Sequence, residues 1–170
     1  MLDLSGIVSN IQNSNTALYI LCGFPYSGKS FISAQIQKQT NIHVVTIDDV
    51  FKSKGFSWDT NELPSSSDWN QIFSEVFEDI RANLVNGKNV LFDSTNQTLA
   101  SRNTLRDIAL SVGVETKVIY IKTSVETVWQ RWEENKNNPK RSVVSREFVQ
   151  QTIDMFEEPT EDENVSMIYN

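Results

Sequence analysis

The chain has 170 residues, 39% of them hydrophobic and 22% charged, which suits one globular domain with a real core and excludes a disordered tail. A net charge of −7 and a sequence pI near 4.7 oppose a broad grip on long nucleic acid and favour a small-molecule or short-end substrate. Cys22, the one cysteine, excludes an intrachain disulfide and reads as a buried small hydrophobe, and the one histidine, His43, excludes histidine triads and multi-histidine metal centres.

The first fifteen residues read as a short helix or an arm, without the charged start and apolar core of a secretion signal. "ALYILC" (17–22) reads as a fully buried strand. A helix is expected over Ser30–Thr40, with Phe31, Ile32 and Ile36 on one side, and a second strand over 43–47. The polar stretch 54–67, which contains Trp58, reads as a loop. From Asp68, the spacing of Trp69, Ile72, Phe73, Val76, Phe77, Ile80 and Leu84 predicts a helix, capped by a preceding serine and stopped at Gly87. A third strand (89–92), a helix from Leu99 to Val112 and a fourth strand (117–123) follow. Val125, Val128, Trp129 and Trp132 mark another helix, broken by the polar run 134–142. Phe148, Val149, Ile153 and Phe156 mark a last helix, and 165–169 a fifth strand. Strands alternating with helices predict an α/β domain, a parallel sheet with helices on both faces. No apolar run approaches the roughly 20 residues of a membrane helix, and a cytoplasmic protein is expected.

The stretch Gly23, Phe24, Pro25, Tyr26, Ser27, Gly28, Lys29, Ser30 fits G-x-x-x-x-G-K-[ST] between a strand and a helix. Such a loop curls so that backbone N–H groups, continued by that of Phe31, point at one anion, which needs the torsional freedom of glycine. The following helix presents a positive dipole end. Lys29 reaches the β- and γ-phosphates of a triphosphate, and Ser30 is a magnesium ligand. In parallel sheets ligands bind beyond the carboxyl ends of the strands. There stand Asp48 and Asp49 after the second strand and Asp93, Thr95 and Asn96 after the third. Asp93 suits a magnesium-bound water and Asp48 a general base, the alternative for each being a cap or turn residue. Asp49 reads mainly as a cap. Thr95 and Asn96 either meet an acceptor or close a turn, and Arg102 faces an acceptor or the surface. Arg131, Lys136, Lys140 and Arg141 surround the polar break and form a basic lid over 131–142, or else a solvated helix end.

In combination and in this order, the phosphate loop, Thr46-Ile47-Asp48, "FDSTN" (92–96) with Arg102, the segment Arg131–Arg141 and "VSREFVQQTIDMFEEPTEDE" (144–163) resemble the polynucleotide-kinase-like and zeta-toxin-like P-loop kinases. The resemblance implies a three-layer α/β/α sandwich with a five-stranded sheet of order 2-3-1-4-5 and a small lid. It implies ATP and Mg²⁺ as cofactors and transfer of the γ-phosphate to a hydroxyl of a small molecule, a nucleotide or a nucleic-acid end. Asp48 would be the base, Lys29 and Ser30 would hold phosphate and magnesium, and Arg141 with Arg131 would stabilise the transferring group. Many members carry an arginine three residues after the base; here Phe51 stands there, which removes a grip on a phosphorylated acceptor. Tyr26 is bulky where many relatives have glycine and is expected to lean over the acceptor side. Two other readings remain open: an ATP-binding switch that hydrolyses slowly, and a nucleotide-sugar kinase toxin.

Overall fold

A computed structural model describes residues 3–58 and 64–170. Part of the expected 54–67 loop, residues 59–63, lies outside them, as do the first two residues of the expected arm. The strands are β1 (Ala17–Cys22), β2 (His43–Thr46), β3 (Val90–Asp93), β4 (Glu115–Lys122) and β5 (Val165–Tyr169). All pair in parallel, in the order β2-β3-β1-β4-β5.

β1 is central, between β3 and β4, and every one of its residues is buried. Its side chains alternate between two cores, as the two-residue period of a strand requires. Leu18, Ile20 and Cys22 face one core, with Ile72, Val76, Ile80 and Leu84 of α4 (Ser66–Val85) and Leu105, Ile108 and Ala109 of α5 (Leu99–Ser111). Ala17, Tyr19 and Leu21 face the other, with Val8 and Ile11 of α1 (Ser5–Asn13) and Ile32 and Ile36 of α2 (Lys29–Gln39). The N-terminal segment is therefore a packed helix. The i, i+4, i+8, i+12 spacing of the α4 quartet makes one apolar stripe, and each buried side chain contributes roughly 2 kcal/mol. Ser65 caps α4 in a reciprocal box with Asp68.

Between β2 and the 54–58 segment the structure differs from expectation. The second strand stops at Thr46, and a short helix, α3 (Ile47–Ser53), starts at once. Thr46 Oγ1 accepts the Asp49 N–H at 3.0 Å and donates to the Asp49 carboxylate at 2.6 Å. Thr46 is thus the N-cap, and Asp48 and Asp49 both sit in the first helical turn rather than at a strand end. Two residues before Asp48, Thr46 pairs with Asp93, which closes β3.

The helix after β4, α6 (Val125–Asn137), runs on into the expected polar break, and α7 begins at Arg146 (Arg146–Asp154). Asn135 stitches the connection, donating to the Arg141 carbonyl at 3.1 Å and accepting the Lys140 N–H at 3.1 Å. α6 and α7 enclose a third, smaller core of Tyr26, Val128, Trp132 and Val149. Among the described residues no helix is long and apolar enough to cross a membrane.

Candidate active site

The phosphate loop leaves β1 at Gly23 and enters α2 at Gly28. A Cβ on Gly23 would stand 2.8 Å from the Ile121 carbonyl oxygen, so the close approach of the loop to β4 requires glycine. Gly28 caps α2 with φ +98°, a left-handed conformation that glycine takes at little cost. Lys29 curls back over the loop, its Nζ donating to the carbonyls of Gly23 (3.0 Å) and Phe24 (2.6 Å). It is 8% exposed. Burial lowers its pKa to about 8; Asp93 opposes that and Arg141 adds to it.

Two further loop carbonyls are held from outside. Tyr26 O accepts Arg131 Nη1 at 3.2 Å, and Ser27 O accepts Asn170 Nδ2 at 2.6 Å and Thr123 Oγ1 at 3.4 Å. The Gly23 N–H donates to Thr95 O at 3.1 Å, and the Ser27 N–H to Phe24 O at 3.2 Å. Ser27 Oγ is buried with no protein partner. Phe31, the first residue past the loop, is 60% exposed.

Asp93 lies against α2. Burial raises its pKa, Lys29 and hydrogen bonds from the Ser30 and Ser33 hydroxyls pull it down, and nearby Asp48 pushes it up again. Asp48 is exposed, with Oδ1 accepting the Trp58 indole N–H at 3.0 Å. Trp58 stacks on Phe51, rings 4.4 Å apart and 11° from parallel. Phe51 itself is fully buried on the sheet-facing side of α3. The position three after Asp48 therefore points into the core. The acceptor edge carries an aromatic cluster there, extended by Phe56 and Trp69, and no cation at that position.

Three expected acceptor contacts fall elsewhere. Arg102 is 1% exposed and faces inward. Its Nε and Nη2 donate to Glu163 (2.6 and 3.0 Å), and Nη1 donates to the carbonyls of Asn96 and Glu157 (both 3.0 Å). With its donors consumed inside, it braces the turn after β3 against the closing segment. Asn96 is buried with φ +46°, its Nδ2 donating to Leu21 O at 2.6 Å, so it closes that turn. Thr95 Oγ1 donates to Gln97 Oε1 at 2.9 Å while its carbonyl holds Gly23.

Tyr26 also turns away from the acceptor side. It is buried beneath α6 and α7, and the Arg141 guanidinium lies over its ring at 4.0 Å. Both lid arginines thus contact the phosphate loop through Tyr26, one through its ring and one through its carbonyl. Sequence reasoning missed Ser33, Thr123, Glu163 and Asn170. For Glu163 the closing acidic tail was a signal; Asn170 had none, since its partner is 143 residues away.

The loop fits a polyphosphate: glycines at the two tight positions, an ammonium within it, and an orphaned buried hydroxyl. Ser30 and Asp93 together offer hard oxygen ligands of the kind magnesium takes when phosphates complete its shell. Among the described residues no group of three or more histidine, cysteine or acidic side chains could hold a metal without such help.

The family profile of the chromatin associated protein KTI12 matches residues 16–165. The chain belongs to the KTI12 family. No curated protein matches it by sequence. Among solved structures, it is similar to a sugar kinase from Janibacter sp. HTCC2649, with TM-score 0.69, 15% identity, and coverage of 91% of this chain and 85% of that one. It is similar to Kti12 of Chaetomium thermophilum in complex with ADP–AlF3, with TM-score 0.63, 15% identity and coverage of 89% and 88%. A chain of the Pnkp1/Rnl/Hen1 RNA repair complex aligns with TM-score 0.70 and 22% identity over 86% of this chain and 46% of that one. At these identities the likenesses establish the fold, that of the P-loop kinases, for this KTI12 family member.

Proposed function

We propose that the protein binds MgATP and transfers its γ-phosphoryl group to a hydroxyl. One observation carries this reading: two carboxylates in opposite environments interact, Asp93 at the end of β3 and Asp48 in the first turn of the helix that follows the neighbouring strand β2. Asp93 is half-buried against Lys29 and Ser30, while Asp48 is open to solvent. Divided environments of this kind divide roles. Ser30 and Asp93 would hold magnesium, which when bound offsets charge on the polyphosphate. Lys29 exchanges its carbonyl partners for phosphate oxygens. Asp48 takes the acceptor's proton as the new oxygen–phosphorus bond forms and the bond to ADP breaks. Arg131 and Arg141, carried on Tyr26, meet the charge that spreads over the transferring oxygens. The structure of the Chaetomium Kti12 in complex with ADP–AlF3 supports nucleotide binding by this chain.

A second reading replaces the alcohol by water and makes the protein a slow hydrolytic switch. The burial of Phe51 favours it, because that position offers no cation to a phosphorylated acceptor. Labelled ATP offered with metabolite, nucleotide and oligonucleotide hydroxyls separates the two. A labelled ester is expected, lost by about 10²- to 10⁴-fold in Asp48→Asn while MgATP affinity stays unchanged. Label recovered solely as free phosphate favours the switch. Undiminished transfer by Asp48→Asn removes Asp48 as the base.

A further inference from the structure

We propose that Asn170 is a positioning residue for the phosphate loop: its side-chain amide fixes the Ser27–Gly28 peptide so that the Gly28 N–H faces the polyphosphate. This rests on the nucleotide-binding reading above and goes beyond it.

The geometry is specific. Asn170 Nδ2 stands 2.6 Å from the Ser27 carbonyl oxygen. A carbonyl can only accept, so the NH₂ end of the amide is the one that faces it. The Asn170 main chain is itself fixed, its N–H donating to Lys122 O at 3.1 Å and extending the β4–β5 ladder past Tyr169. The amide lies so close to the loop that a Cβ on Gly28 would come within 2.4 Å of Nδ2.

A trans peptide points its C=O and N–H in opposite directions. Tying Ser27 O to β5 therefore turns the Gly28 N–H to the other side, into the loop. Other loop carbonyls have donors of their own: those of Gly23 and Phe24 are held by Lys29 until its ammonium turns to phosphate, and that of Tyr26 by Arg131. The Ser27–Gly28 peptide adjoins a glycine, where a peptide flip is cheap. Flipped, it would aim a carbonyl oxygen at an anion. Thr123 Oγ1 also reaches Ser27 O, but at 3.4 Å it is the weaker tether. The strand that ends the sheet thus sets the polarity of a loop formed at the end of its central strand.

Asn170 is exposed, so its replacement leaves the core intact. The test compares MgATP binding by wild type, Asn170→Ala and Asn170→Asp, with melting temperature without nucleotide as the control. Near neutral pH both variants are expected to bind MgATP about tenfold more weakly, the loss of one short hydrogen bond at a charged site. Adenosine binding is expected not to change. The aspartate variant carries its own diagnostic, because its carboxylate repels the Ser27 carbonyl while its protonated form can donate to it. Lowering the pH to about 4, where an ordinary aspartate is roughly half protonated, should narrow the gap between Asn170→Asp and wild type and leave that of Asn170→Ala unchanged. Variants that bind MgATP within a factor of about two of wild type would overturn the proposal. So would a loss equal in both variants at every pH and matched by a fall in melting temperature, which marks a scaffold residue. Failure of the wild type to bind MgATP would instead remove the underlying reading.

Discussion

The two sides of the site are built differently. On the phosphate side the polar groups are tied: four loop carbonyls have donors, Lys29 is buried, and Arg102 and Glu163 lock the adjoining turn from inside. On the acceptor side Asp48 is exposed, with an indole N–H on one oxygen and a wall of aromatic rings behind it. The contrast teaches which half is preorganised. Holding dipoles toward a highly charged anion before it arrives saves reorganisation, and a chain with net charge −7 has few positive charges to lend. On the transfer reading proposed above, the acceptor side, in contrast, must admit a second molecule and let it leave.

Three experiments test that contrast, beginning with the largest effect. Arg102→Met strips the buried Glu163 carboxylate of its bidentate partner, leaving Arg106 at 3.9 Å, and is expected to cost about 3 kcal/mol of stability, read by denaturant unfolding. Asp48→Asn, at an exposed site, should cost no more than about 0.5 kcal/mol in the same measurement. Equal losses would mean that the two sides are equally rigid. Next, Trp58→Phe keeps the stack on Phe51 but removes the indole donor. Phosphoryl transfer is expected to fall about tenfold with MgATP affinity unchanged, and a fall in affinity instead would couple the two sides.

The smallest effect is a pH dependence of the phosphate side alone. Burial holds Lys29 at about 8, below its ordinary 10.5, so between those values the unfolded chain binds the extra proton. Stability therefore gains from this group as pH rises through that window, and the cost of burying its charge is fully present below about pH 8. A polyphosphate favours the charged form. Binding of MgATP above about pH 8 is expected to take up a proton, visible as a buffer-dependent heat that Lys29→Arg abolishes.

Much of the phosphate side was legible because its signals are local. The apolar run, the glycines and Lys29–Ser30 lie in one stretch, and the sheet order follows from the resemblance those residues support. The α3 helix was missed although Thr46 is an N-cap residue type, because the helix starts with no loop after β2. Phe51 was conspicuous in sequence as a departure, yet its role in the core needs the stacking partners Trp58 and Trp69. Arg102 and Tyr26 were placed on the wrong surfaces for the same reason: their surroundings arrive from residues 163 and 128–149. A burial that depends on a partner far along the chain leaves no periodic trace nearby.

The phosphate loop takes hydrogen bonds from Arg131 and Asn170, residues 105 and 143 positions beyond the loop residues they hold. At ordinary rates of protein synthesis these partners follow the loop by on the order of ten seconds. Through that interval β1, apolar on both faces, has left the ribosome before β3 and β4, its partners on either side. An emerging KTI12 family chain of this kind carries its nucleotide loop long before the strands that shape it exist. Nucleotide can therefore reward completion of this domain but cannot template its beginning, and the exposed "ALYILC" strand is the segment a chaperone would have most reason to cover.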